Sequence, residues 1–244
     1  MDKLVLEPFT FDHVYCVRVC RDPSKRSATV NLIFHGFPSR KTKNLDLAQE
    51  LCWRTGDDGL ILHYPGLGKS PGPFSFVASV TKSLEFVKTE VLPRYEKINL
   101  IGHSWGGLVS LNVSELLGEK LGKMLLFSPF NAIPKDEELK IFVSHLMKTV
   151  QIEYWGSTHE NSCAEIETLR LQYNPRDIAK KMKWKPNQVT ILQAINDEPV
   201  PERTTREFAR LFDLPCKYEE MDIDHSFITE REKLYLRMFE AFNV

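Results

Sequence analysis

No stretch of this sequence approaches the length of a membrane span, and its first residues, MDKLVLEPFTF, lack the basic segment and apolar core of a secretion signal. The expectation is a cytoplasmic chain with no stable membrane insertion. Cysteine is scarce and unpatterned: Cys16, Cys20, Cys52, Cys163 and Cys216 are odd in number and share no paired spacing. A disulfide framework is therefore not expected, which suits a reducing compartment. Neither a C-x-x-C pair nor a histidine set completes a zinc site, so the expectation is no metal and no cofactor. An excess of charge of either sign is missing as well. With 32 basic and 33 acidic residues the net charge is −1, and nothing suggests a polyanionic partner such as nucleic acid. Internal repeats, low-complexity tracts and long charge runs do not occur. The densest basic cluster, Lys180-Lys181-Met182-Lys183-Trp184-Lys185, reads as a solvated helix end.

What is present is a chain of 244 residues, 42% hydrophobic, long enough for one domain over 1–244 with a substantial core. Short apolar runs at 28–34, 60–64, 97–101, 123–127, 189–194 and 216–221 suit strands buried on both faces. Segments 4–9 and 13–21 read as an opening antiparallel pair. Helical patterns fall between the strands at 45–54, 76–91, 108–117, 202–211 and 228–242. This alternation predicts an α/β fold with a mostly parallel sheet of about eight strands, right-handed crossovers and chemistry at the strands' C-terminal ends.

The most informative stretch is Lys97 to Gly107, KINLIGHSWGG. A β-type run ends in Gly102-His103-Ser104-Trp105-Gly106 and a helical pattern follows, which is the pattern of a tight strand-to-helix turn with a serine at its apex. Side chains at the flanking glycines would collide with the adjoining strand and helix. The turn also sets Ser104 at a helix N-terminus, where unpaired N–H groups favour developing negative charge. A serine so placed needs a base, a group to orient that base, and an oxyanion hole.

His225, in Asp222-Ile223-Asp224-His225-Ser226, follows the last strand and is the only histidine beyond His159. It is the candidate base. Asp197 follows the 189–194 strand and is the candidate acid, with Glu198 as its close competitor. Asp222 and Asp224 belong to the histidine's own loop and read as caps or solvent-facing groups. For the oxyanion hole, one N–H is expected from Trp105 and one from Phe37, in His35-Gly36-Phe37-Pro38 after the 28–34 strand; Pro38 has no N–H to give. His35 reads as a packed structural residue.

With these residues in view, the chain resembles the α/β-hydrolase superfamily over nearly its whole length. Its oxyanion loop looks like His35-Gly36-Phe37-Pro38, its elbow like Gly102-His103-Ser104-Trp105-Gly106, and its late histidine loop like Asp224-His225-Ser226. The resemblance implies the α/β-hydrolase fold, with Ser104 as nucleophile, Asp197 as acid, His225 as base, and the Phe37 and Trp105 amides as oxyanion donors. Tyr64-Pro65-Gly66-Leu67-Gly68-Lys69-Ser70 is similar to the R-G-x-G-x-S loop of that superfamily, departing from it with Pro65 in place of arginine. About sixty residues between Phe127 and Val189 exceed a simple crossover. By the same resemblance, 130–187 is a helical cap or lid insertion, with helical patterns at 135–150 and 163–183. Its Phe142, Met147, Tyr154, Trp155, Leu169, Tyr173 and Trp184 are candidates to line an acyl or aromatic pocket, although each alone is better explained as cap packing.

The function expected is a serine hydrolase acting on a carboxylic ester or thioester, with a small-molecule acyl substrate carrying an apolar acyl group. Acyltransferases, peptidases and C–C hydrolases share the same constellation, and a ligand receptor with vestigial hydrolase chemistry is the alternative from another class.

Overall fold

In the computed structural model, which describes residues 3–38, 44–149 and 156–244, an eight-stranded sheet runs in the order β1-β2-β4-β3-β5-β6-β7-β8. The strands are β1 Val5–Phe11, β2 Val14–Cys20, β3 Thr29–Phe34, β4 Asp58–Leu62, β5 Lys97–His103, β6 Leu121–Phe127, β7 Val189–Ala194 and β8 Lys217–Met221. β1 and β2 form an antiparallel hairpin, β2 pairs antiparallel with β4, and every later pairing is parallel.

The strand sequences explain why helices cover both faces. Successive residues of a strand point to opposite sides, and in β3 to β7 both sets are apolar. Leu32, Leu60, Leu100, Leu126 and Ile191 enter one core, while Ile33, Ile61, Ile101, Leu125 and Leu192 enter the other. The first core is closed by α2 Phe76–Phe86 and α3 Trp105–Leu117, the second by α1 Leu45–Thr55 and α8 Arg231–Phe242. β8 departs from the expected apolar run. Its KYEEM sequence buries only Met221 fully, because β8 lies at the sheet edge and its glutamates pair with Arg206 and Arg237.

Between β6 and β7 the described residues build three helices, α4 Asp136–Thr149, α5 His159–Gln172 and α6 Pro175–Lys181. The single pattern expected over 163–183 is thus two helices. Pro175 cannot continue α5 and instead opens α6, where the Asn174 side chain accepts the Arg176 N–H at 3.0 Å. α5 is tied to α2 by Glu165, whose carboxylate accepts the Phe76 N–H at 2.6 Å. α7 Glu202–Ala209 lies between β7 and β8. The elbow helix begins at Trp105, three residues earlier than the 108–117 pattern suggests, because Gly106 and Gly107 carry no side chain to mark the helical period.

Candidate active site

The sheet's parallel strands deliver four loops to one edge. Phe37 lies three residues past β3, Ser104 directly past β5, Asp197 three past β7 and His225 four past β8. Ser104 sits at φ 50°, ψ −116°, a conformation that side chains rarely adopt and that surrounding bonds enforce. Its N–H donates to the Phe127 carbonyl at 3.0 Å, and its own carbonyl accepts from the Gly107 and Phe130 N–H groups, each at 2.8 Å. The flanking glycines have a steric cause. A Cβ on Gly106 would stand 2.0 Å from the Phe34 carbonyl oxygen, and one on Gly102 would stand 2.5 Å from the Gly106 carbonyl oxygen and from Ser110 Oγ.

Ser104 Oγ lies 3.1 Å from His225 Nε2, and His225 Nδ1 lies 2.7 Å from Asp197 Oδ2. Because an ionised carboxylate only accepts, Nδ1 carries the proton and Nε2 is left with a lone pair facing the serine hydroxyl. The Asp197 side chain has no exposed surface, whereas His225 remains 24% exposed toward the cavity. Asp197 is held by the Val200 N–H at 2.8 Å and by Gln193 Nε2 at 3.3 Å, and Gln193 also donates to the Val200 carbonyl at 2.9 Å. The competitor Glu198 is exposed and lines the cavity instead of meeting the imidazole. Asp224 caps its own loop, accepting from the Ser226 N–H at 3.1 Å and Thr229 Oγ1 at 2.6 Å. Burial pushes its carboxyl up, but these hydrogen bonds outweigh it and hold the group down at about 2.

The histidine before Ser104 has a structural place. His103 stacks on Phe127 with ring centroids 4.6 Å apart, and its Nε2 donates to the His225 carbonyl at 2.9 Å, joining the elbow to the histidine loop. A Cβ on Gly36 would stand 3.0 Å from His103 Nδ1 and 3.2 Å from Ser104 Cβ, so any larger residue in the loop after β3 would make these side chains give way by a few tenths of an ångström. His35 is buried against Tyr64 at 4.3 Å between centroids, and the Tyr64 hydroxyl donates to its carbonyl at 3.0 Å. The Gly66 and Gly68 loop keeps its turns without an arginine. Ser70 Oγ donates to the His63 carbonyl at 2.8 Å and accepts the Tyr15 N–H at 2.9 Å, binding the loop to β2 and β4.

A cavity of about 900 Å³ opens over Ser104, with Gly36, Phe37, Trp105 and His225 at its floor. α4 contributes Glu138, Ile141, Phe142, His145 and Leu146, spaced as one helical face. Of the apolar residues expected to line a pocket, Phe142 does so. Leu169 and Trp184 are core, Met147 and Tyr173 pack half-buried against it, and Tyr154 and Trp155 lie outside the described residues. Sequence reading missed Phe76, Phe130 and Gln193. The helical spacing of 138, 141, 142, 145 and 146 was the available signal for α4; Phe130 and Gln193 had none. Among the described residues no three His, Cys, Asp or Glu side chains gather to hold a metal ion, and no helix is long and apolar enough to cross a membrane.

No protein-family model matches the sequence, and no curated protein matches it either. Solved structures do. Est1E from Butyrivibrio proteoclasticus, with ferulic acid bound, superposes with a TM-score of 0.70 at 18% identity, covering 98% of this chain and 100% of that one. Mouse alpha/beta hydrolase domain-containing protein 10 gives 0.72 at 16% identity, covering 98% of both chains. The 2-hydroxy-6-oxo-6-phenylhexa-2,4-dienoate hydrolase of a Rhodococcus species gives 0.69 at 13% identity, covering 99% of this chain and 100% of that one. At these identities the likeness is one of architecture, and with the sheet order and elbow described above it gives this chain the α/β-hydrolase fold.

Proposed function

We propose that this chain is a serine hydrolase that cleaves a carboxylic ester or thioester through an acyl-enzyme. The observation that carries the reading is the hydrogen-bonded series Ser104, His225, Asp197 at the floor of a largely apolar cavity. Asp197 fixes the imidazole tautomer, and His225 Nε2 takes the Ser104 proton as Oγ bonds to the substrate carbonyl carbon. The Phe37 and Trp105 amides are assigned to the resulting oxyanion. As the tetrahedral intermediate collapses, the bond to the alcohol or thiol breaks and His225 protonates the leaving group. Water then attacks the acyl-enzyme with His225 as base, releasing the acid and restoring Ser104. The segment 130–187, with α4 to α6, serves as a cap whose α4 face closes the acyl site. The substrate is a small acyl compound with an apolar acyl group, and no cofactor takes part. The unpaired cysteines suit a cytoplasmic setting.

Named esterases among the structural neighbours support hydrolysis, and the Rhodococcus neighbour is named as a hydrolase of a different substrate, a dienoate, on the same architecture. The test is covalent labelling by a fluorophosphonate, read by intact mass on wild type and Ser104→Ala. One adduct on wild type and none on the variant is expected. An unlabelled wild type, or equal labelling of both, overturns the mechanism and favours the receptor reading.

A further inference from the structure

We propose that the acyl site selects an aromatic acyl group over an alkyl chain with the same number of carbons; this rests on the hydrolase reading above. Five aromatic side chains line the cavity, and they form one continuous wall. Phe37 meets Phe76 at 5.4 Å between centroids, Phe76 meets Trp105 at 5.1 Å, Trp105 meets Phe130 at 5.4 Å, and Phe130 meets Phe142 at 5.8 Å. Interplanar angles of 59°, 62°, 41° and 30° along this series set the rings at varied tilts, with Phe37, Phe130 and Phe142 half-buried at the cavity. A planar ring laid against such a wall finds offset-stacked and edge-to-face partners together, an attraction an alkyl chain cannot draw on.

The wall is also held in place before substrate arrives. Phe37 stacks on Phe74 at 4.5 Å and 22°, Trp105 Nε1 donates to Ser79 Oγ at 2.8 Å, and Phe76 and Trp105 are buried. A fixed wall favours a rigid ligand, because a flexible chain loses rotamer freedom on binding and a ring does not. The acyl side is where this wall lies. The carbonyl oxygen turns toward Phe37 and Trp105, both members of the wall, and the leaving-group oxygen must stay within reach of His225 Nε2. The group continuing from the carbonyl carbon is then the one assigned to the rings.

The experiment compares kcat/KM for ethyl 3-phenylpropanoate and ethyl nonanoate, each with nine acyl carbons, with 2-phenylethyl acetate as the ester that moves the ring to the alcohol. The phenylpropanoate is expected to be favoured over the nonanoate by about tenfold, and Phe130→Leu or Phe142→Leu to bring that ratio close to one. Equal or faster cleavage of the nonanoate overturns the inference and leaves the hydrolase intact. Preference for the ring only in the alcohol also overturns it. If none of the three esters turns over and the fluorophosphonate leaves Ser104 unlabelled, the hydrolase reading fails and the inference falls with it. Retention of the tenfold ratio in both leucine variants would refute the wall as its source.

Discussion

At the scale of single residues the elbow trades backbone comfort for a projecting hydroxyl. A non-glycine residue in a sparsely populated backbone region costs about 1–3 kcal/mol, and it persists at Ser104 because Phe127, Gly107 and Phe130 hold its N–H and carbonyl. Glycine relieves that strain but loses about 0.5–1 kcal/mol more chain entropy on folding than alanine in an ordinary position. The comparison that isolates the backbone is Ser104→Gly against Ser104→Ala, since both lack the hydroxyl. Ser104→Gly is expected to be the more stable by about 1 kcal/mol, or about 2–4 °C in Tm for a chain of this size, with both variants inert to the fluorophosphonate. Thermal unfolding of the pair decides it. A glycine variant that melts below the alanine one would mean that the elbow is not a site of stored strain. The same scale accounts for the choice between neighbouring carboxylates. Asp197 and Glu198 are adjacent in sequence, yet the turn closed by the Val200 N–H points Asp197 inward and leaves Glu198 exposed.

At the scale of elements, the loop after β4 shows how a buried histidine is kept neutral. His63 Nδ1 accepts the Lys69 N–H at 3.0 Å, a bond that protonation of Nδ1 would destroy. Burial, with the Lys69 charge adding to it, depresses its pKa to about 4. Above the unfolded value of about 6.5 the ring is neutral folded or unfolded and contributes no pH dependence. Between about 6.5 and 4 the unfolded chain binds a proton that the folded one refuses, so stability falls as pH falls, by a few kcal/mol in all. His63→Gln is expected to be less stable than wild type at pH 7.5 and to lose less on acidification, so that the gap narrows toward pH 4.5. Urea unfolding at several pH values measures this, and a constant gap would count against the assignment. Elements also divide what the sequence made legible from what it did not. Short continuous apolar runs mark β3 to β7, and strand-end positions point to Ser104 and His225 and narrow the acid to Asp197 or Glu198, because local pattern carries both. The break between α5 and α6 was legible only at Asn174-Pro175. The aromatic wall was not legible, since Phe37, Phe76, Trp105, Phe130 and Phe142 come from five separate segments that only tertiary packing joins.

The whole molecule places the proposed active site and a buried ion-pair network at opposite ends of one sheet. The C-terminal strand ends carry Ser104, Asp197 and His225, while the N-terminal end of β4 carries a buried ion-pair network. Arg18 Nε lies 2.9 Å from Asp58 Oδ2 and its Nη1 lies 2.7 Å from Glu7, while the Tyr95 hydroxyl donates to Asp58 at 2.8 Å. These contacts join β1, β2, β4 and the turn before β5. In register, Asp58 aligns with Val30 and Val30 with Ile98, so the network stands about 20 Å of strand away from Ser104, at about 3.3 Å per residue. Removing one partner of a buried pair strands the other charge, at a cost of about 3–5 kcal/mol. Asp58→Asn is expected near the lower figure, because Glu7 still meets Arg18. The ester kcat/KM of the folded variant should match wild type, since no group at the site is moved. Replacing both partners, Arg18→Met with Asp58→Leu, removes the two buried charges and is expected to recover most of the loss, with the partly exposed Glu7 left to solvent and Tyr95 left to find another acceptor. Urea titrations of wild type and the two variants, each paired with fluorophosphonate labelling rates well below its melting point, separate the two ends. Unchanged stability in Asp58→Asn would show the network to be idle, whereas lost labelling in a variant that is still folded would show that the two ends are coupled.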